Sequence, residues 1–210
     1  SVPPQARKWL QQNANPFWQK IYQLPVVENW LQAGRLPEHL ALEHEMTGED
    51  TLSFEDFLAD YDANSRTGHG VFYTPVPVVR WMVQAVDRQL QEAFPGTRGL
   101  AAGEKGSNKT QPTMDILDPA AGTGVFLVEV IQQVAGTMME SWREADLSET
   151  EVHERWNDYV CDSLLPRLTG FELMLPAALL AQWVIMHKLA ETGFAFRQPG
   201  VLQFHVMDTM

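Results

Sequence analysis

One cysteine in 210 residues, Cys161, leaves no internal disulfide to staple the chain. It fits a reducing compartment, and the cytoplasm is the expected location. No apolar run approaches the roughly 18 residues that would span a bilayer, and Ser1-Val2-Pro3-Pro4 does not open a signal peptide, so no membrane is expected as a partner. Positive charge is also scarce. With 15 Lys and Arg against 27 Asp and Glu the formal charge is -12, whereas a surface that grips a nucleic-acid backbone is basic. The 6 histidines, His39 and His44 among them, are scattered without metal-ligand spacing, and Cys161 has no neighbouring ligands. No metal site is expected.

What is present is a chain that is 45% hydrophobic, enough to bury one good core and a small second unit. Its most informative stretch runs from Asp115 to Leu127: a buried strand, a glycine turn at Asp118-Pro119-Ala120-Ala121-Gly122-Thr123-Gly124, and the start of an apolar helix. Such junctions place free N–H groups at a helix N-terminus, beside the carboxyl ends of the strands where open α/β sheets bind ligands. Gly122 and Gly124 permit positive φ and a close approach to the main chain. Two phosphate-binding readings fail on missing residues. A dinucleotide fingerprint wants glycine where Leu127 stands and an acid about 20 residues on, and a P-loop wants Gly-Lys-Ser/Thr where Val125 and Phe126 open the helix. Gly103-Glu104-Lys105-Gly106-Ser107 imitates the latter but follows no apolar strand.

Two regions are expected. Residues 1–66 read as helical, with Phe17, Trp18, Ile21, Tyr22 and Leu24 at helical spacing and an amphipathic segment opening at Ser53, where Ser53 and Asp56 resemble a capping box. Thr67-Gly68-His69-Gly70 breaks that pattern. In residues 67–210, Thr74-Pro75 opens a helix whose Val79, Met82 or Val83, Val86 and Leu90 share a face. Residues 95–112 read as a long exposed loop. The helix after the glycine turn faces the core with Leu127, Val130 or Ile131, Val134 and Met138. Residues 141–166, with Trp142, Trp156 and Tyr159, read as a helical insertion. Leu168–Leu173 then forms a strand, Pro176–Leu189 an apolar helix closed by Thr192-Gly193, and Val201–Val206 a strand.

The alternation of strand and helix predicts an α/β fold with a parallel sheet, and each strand ends in an acid: Asp118, Glu172, Asp208. Three carboxylates at successive strand ends of a parallel sheet share one crevice. An acceptor-only carboxylate at Glu172 suits a ribose diol. Asp208 suits an exocyclic adenine amine, with Leu173 and Met174 offering apolar surface to the ring. Asp118 and the Gly122–Gly124 turn suit the ammonium and carboxylate of an amino acid. An adenosine joined to an amino acid is S-adenosylmethionine. His187 and His205 read as core-edge or surface histidines, and the tryptophans as packing.

On these residues the chain resembles the S-adenosylmethionine-dependent adenine N6 DNA methyltransferases, and most of all the restriction-modification enzymes in which methyltransferase, translocase and nuclease share one polypeptide. Gly70-Val71-Phe72-Tyr73-Thr74-Pro75 is similar to the family's motif before the glycine loop. Asp118-Pro119-Ala120-Ala121-Gly122-Thr123-Gly124 is similar to its glycine motif, Gly170-Phe171-Glu172-Leu173-Met174 to its ribose-binding strand, and Met207-Asp208-Thr209-Met210 to its adenine-contacting motif. The resemblance covers about residues 54–210. It implies a partial Rossmann-like class I methyltransferase sheet preceded by a small helical region. It also implies S-adenosylmethionine held by Tyr73, Thr74, Pro75, Asp118, Ala120, Gly122, Gly124, Glu172, Leu173 and Asp208.

The family's catalytic Asn/Asp-Pro-Pro-Tyr/Phe/Trp segment should follow the next strand, and the 210 residues contain none. Asn15-Pro16-Phe17-Trp18 lacks the second proline and follows no apolar strand, so it reads as a helix start. The expectation is a cofactor-binding part without turnover of its own. Double-stranded DNA, and nuclease or translocase domains or subunits, would be met through regions outside it. Two alternatives stay open at this point: an S-adenosylmethionine enzyme acting on RNA, protein or a small molecule, and a non-catalytic interaction module with this fold.

Overall fold

The computed structural model describes residues 4–14, 19, 20, 22, 23, 74–103 and 114–209. Phe17, Trp18, Ile21, Leu24, the Ser53–Leu58 segment, the Thr67–Gly70 break, Tyr73, Lys105–Ser107 and Met210 lie outside the described residues. In chain order the elements are α1 (Pro4–Asn13), α2 (Val76–Ala93), a 3-10 turn (Gly99–Ala101), β1 (Ile116–Asp118), α3 (Val125–Glu144) and α4 (Glu149–Tyr159). A π turn (Val160–Leu164) and a last helical turn (Leu165–Arg167) follow, then β2 (Leu168–Glu172), α5 (Leu175–Glu191) and β3 (Gln203–Val206). Among the described residues no helix is long and apolar enough to cross a membrane.

The three described strands form one parallel sheet in the order β1-β2-β3, with Asp118 beside Gly170 and Glu172 beside Val206. Side chains alternate across it. Leu168 and Phe204 are fully buried on one face, where a Cβ on Gly170 would collide with Phe204 and with Leu127 of α3. The opposite face carries Leu117, 59% exposed, and Phe171 stacked on His205 with centroids 5.1 Å apart. Leu127, Ile131, Val134 and Met138 are buried as their helical spacing predicts.

Three local readings need correction. Thr74 does not cap α2: Pro75 occupies the N-cap, and its carbonyl accepts from the N–H groups of Val78 and Val79 at 2.8 and 3.1 Å. The buried stripe of that helix is Val79, Val83 and Asp87, whereas Met82 and Val86 are 41% and 48% exposed. A charged residue holds a core position there because its carboxylate is satisfied, accepting from Leu100 N–H at 2.8 Å, Gln91 Nε2 at 3.0 Å and Gln133 Nε2 at 3.1 Å. Finally, the stretch read as an exposed loop is buried at Leu100–Ala102. Arg167, itself buried, donates to the carbonyls of Leu100 (3.1 Å), Met114 (2.8 Å) and Ser163 (2.9 Å) and to the Tyr159 hydroxyl (3.0 Å).

Helix α4 opens with a capping box between Ser148 and Glu151. It buries Val152, Trp156 and Tyr159, and with Trp142 these side chains join the core while most of the charged residues around them stay exposed. At the other end of the chain, Trp9 of α1 packs edge-on against Phe194 and Phe196 and donates to the Gln198 carbonyl at 2.6 Å.

Candidate functional site

The site begins where β1 ends. A short strand delivers Asp118, and the chain then turns through Gly122 (φ 54) and Gly124 (φ 83) into α3, both in the left-handed region that side chains avoid. Gly124 is the N-cap and supplies no side chain to cap the helix. The first N–H groups of α3 therefore lack intrahelical partners and carry the positive end of a 20-residue helix dipole.

Hydrogen bonds of main-chain and side-chain groups tie this turn to the other two strand ends. Ala121 N–H donates to the Phe171 carbonyl at 2.7 Å, and Gly122 N–H donates to Glu172 Oε2 at 2.8 Å. The other oxygen of Glu172 accepts from Met174 N–H at 2.8 Å, and the Glu172 carbonyl accepts from Met207 N–H at 3.1 Å. After β3, the Thr209 hydroxyl donates to the Pro119 carbonyl at 2.9 Å. The parallel register makes this possible by bringing every carboxyl end to one side.

Two polar atoms in the turn are buried without a partner among the described residues, Asp118 Oδ2 and Thr123 Oγ1. The other oxygen of Asp118 accepts from Ala120 N–H at 3.2 Å. Burial pushes the Asp118 carboxyl above the usual aspartate range, the Ala120 N–H pulls it down, and the neighbouring Glu172 charge adds to the rise. An unmade bond on a buried carboxylate is costly. A donor, and best of all a cation, is what the atom lacks.

Helix α2 brings Thr74 and Pro75 to the same end. Arg80 donates to both oxygens of Glu129 at 3.1 and 3.0 Å, and farther along the two helices Gln133 of α3 meets Asp87 of α2 at 3.1 Å. Both contacts advance together, so α2 and α3 run the same way. Their N-termini, Thr74-Pro75 and the glycine turn, lie at one end.

Of the residues singled out from sequence, Asp118, Ala120, Gly122 and Glu172 meet around the turn. Leu173, 46% exposed, follows directly, and Asp208 is exposed beyond β3. Thr74 is half-buried and Pro75 exposed at the start of α2, while Tyr73 lies outside the described residues. Gly124 has the positive φ expected of it and a further reason for lacking a side chain: a Cβ there would lie 3.1 Å from the Ala181 side chain of α5. Sequence reasoning passed over Thr123, the one hydroxyl inside the turn, and the Met174 amide and Thr209, whose proximity no local pattern carries.

A family model described as N-6 DNA Methylase matches residues 48–153, half of the chain. Among solved structures, the cryoEM structure of a DrdV–DNA complex is similar over 93% of this chain and 16% of that one, with 23% identity and a TM-score of 0.51. At that identity the likeness concerns the fold. Two Type ISP restriction-modification enzymes also match. A nuclease-deletion mutant of LlaGI in complex with a DNA substrate mimic has 19% identity, a TM-score of 0.47, and coverage of 98% of this chain and 16% of that one. LlaBIII bound to DNA has 21% identity, a TM-score of 0.48, and coverage of 95% and 14%. The chain thus spans about one sixth of the length of the first two. No curated protein matches it.

Proposed function

The chain belongs to the N-6 DNA methylase family, and from that premise we propose that residues 67–210 bind S-adenosylmethionine as the methyl-donor part of an adenine N6 DNA methyltransferase. One observation carries this reading above the others: Asp118 Oδ2, a buried carboxylate oxygen without a donor among the described residues, stands in a turn that leads straight into the uncapped N-terminus of α3. A zwitterionic amino-acid group is the complement of that pair. Its ammonium answers Asp118, and its carboxylate answers the free N–H groups and helix dipole.

The remaining residues fit the rest of the same molecule. Glu172 keeps a second lone pair on each carboxylate oxygen after accepting from Gly122 and Met174, and these suit the ribose hydroxyls. Exposed Leu173 offers apolar surface to the adenine, and Asp208 an acceptor for its amine. Tyr73, Thr74 and Pro75 are assigned to the methionine end. S-adenosylmethionine supplies the transferable methyl group. The residues named here bind and orient it, and none is assigned to catalysis.

Target recognition belongs to other parts of the enzyme. An acidic chain of charge -12 is poorly suited to hold DNA, so a basic surface outside these residues is proposed for the duplex and for the flipped adenine. DrdV and the LlaGI and LlaBIII enzymes were each determined with DNA or a DNA mimic. By analogy we place the present chain in a restriction-modification enzyme with nuclease or translocase parts. Without an Asn-Pro-Pro-Tyr-like segment, these residues bind the cofactor but do not turn it over. Titration calorimetry with S-adenosylmethionine tests the proposal: the chain should bind, and Glu172→Ala should weaken binding by about 1.5 to 3 kcal/mol, the worth of a charged hydrogen bond. Absence of heat from the folded wild-type chain would refute the cofactor assignment.

A further inference from the structure

The Glu172 carboxylate spends one lone pair of each oxygen on the protein itself. Oε2 accepts from Gly122 N–H and Oε1 from Met174 N–H, both at 2.8 Å. The two donors belong to different turns, one after β1 and one after β2, and Gly122 lies 50 residues from Glu172 in sequence. Both donors are main-chain, so the geometry is set by two backbones rather than by a mobile side chain.

We infer that Glu172 is a positioning residue for the glycine turn: its carboxylate holds Gly122 in its left-handed conformation and locks the β1–α3 turn to the β2–α5 turn before any ligand arrives. This goes beyond the acceptor role proposed above, and it stands whether or not a ribose binds there. Only a carboxylate does both tasks at once. It is acceptor-only at both oxygens, whereas glutamine has one acceptor and would point an NH2 group at one of the two N–H donors. Removing the side chain leaves the part-buried Gly122 N–H without its partner. The adjacent peptide units keep their own ties, from Ala121 N–H to Phe171 and from the Thr209 hydroxyl to Pro119. The change should therefore be local to Gly122 and Met174, the two amides that lose the carboxylate.

The test is residue-resolved amide hydrogen exchange on the full chain without ligand, comparing wild type, Glu172→Gln and Glu172→Ala. Gly122 should exchange about tenfold faster or more in the alanine variant, the loss expected of one charged hydrogen bond. In the glutamine variant either Gly122 or Met174 should be released while the other stays protected. Amides of α4, such as Val152 bonded to the Ser148 carbonyl, should not change. If the alanine variant does not fold, the near-isosteric glutamine variant decides the question. Unchanged exchange at Gly122 and Met174 in a folded variant overturns the inference. Calorimetry with S-adenosylhomocysteine on the same proteins separates the two roles. Faster exchange without loss of affinity upholds the positioning role and removes the ribose assignment, and loss of affinity without faster exchange does the reverse.

Discussion

Asp118 and Glu172 end neighbouring parallel strands, and the Asp118 carboxyl, raised first by burial, is raised again by the charge of Glu172. A carboxyl whose folded pKa lies above its unfolded one opposes folding once it ionises. Its penalty is absent below the ordinary aspartate range and complete above the raised folded value. The ligand-free protein should therefore lose stability as pH rises through that window. Asp118→Asn should remove this dependence and melt higher at neutral pH, since its carbonyl still accepts from Ala120 N–H. Thermal melts from pH 3 to 8 check this, and equal slopes for both proteins would contradict it.

Thr123 is 2% exposed and its hydroxyl has no partner among the described residues. Thr123→Val removes that hydroxyl at nearly constant shape, so the ligand-free protein should be unchanged or gain up to about 1 kcal/mol in urea unfolding. A loss greater than that would show that the hydroxyl is satisfied within the fold.

Gly124→Ala places a side chain at φ 83 and against Ala181. The expected cost is about 1 to 3 kcal/mol, from the left-handed backbone and the close contact together. Ala181→Gly in the same chain should restore only part of it, because the Ala181 main chain also stands 3.2 Å from the new Cβ. Chemical denaturation of the single and double variants measures both effects.

Arg167→Met exchanges a buried guanidinium for a shorter apolar chain and frees four acceptors: the carbonyls of Leu100, Met114 and Ser163, and the Tyr159 hydroxyl. A loss of about 3 kcal/mol or more is expected, since each bond to a charged donor is worth about 1.5 to 3 kcal/mol. Arg167→Lys should recover little, for an ammonium cannot span acceptors arranged around a planar fork. Urea unfolding of the two variants distinguishes a fork from a simple charge.

The alternation of strand and helix, the glycine turn and the apolar helix Leu175–Glu191 are legible in the chain because each rests on residues close in sequence. So is the order of the acids, since Asp118, Glu172 and Asp208 each close an apolar run. Periodicity read the buried face of α2 less well. It favoured Val86 over Asp87, because a local pattern has no means of knowing that Leu100, Gln91 and Gln133 will satisfy a buried carboxylate.

By itself, the sequence determined that acids and glycines would stand at the ends of parallel strands, for backbone conformation and burial follow from neighbours within a few residues. Only the tertiary structure decided which partners they meet. That Gly122 gives its N–H to Glu172, that Gly124 leaves room for Ala181, and that Asp118 keeps an oxygen unpaired among the described residues depends on register and on helix packing. Those are set by contacts across tens of residues, where energy is decided by geometry that no short window contains.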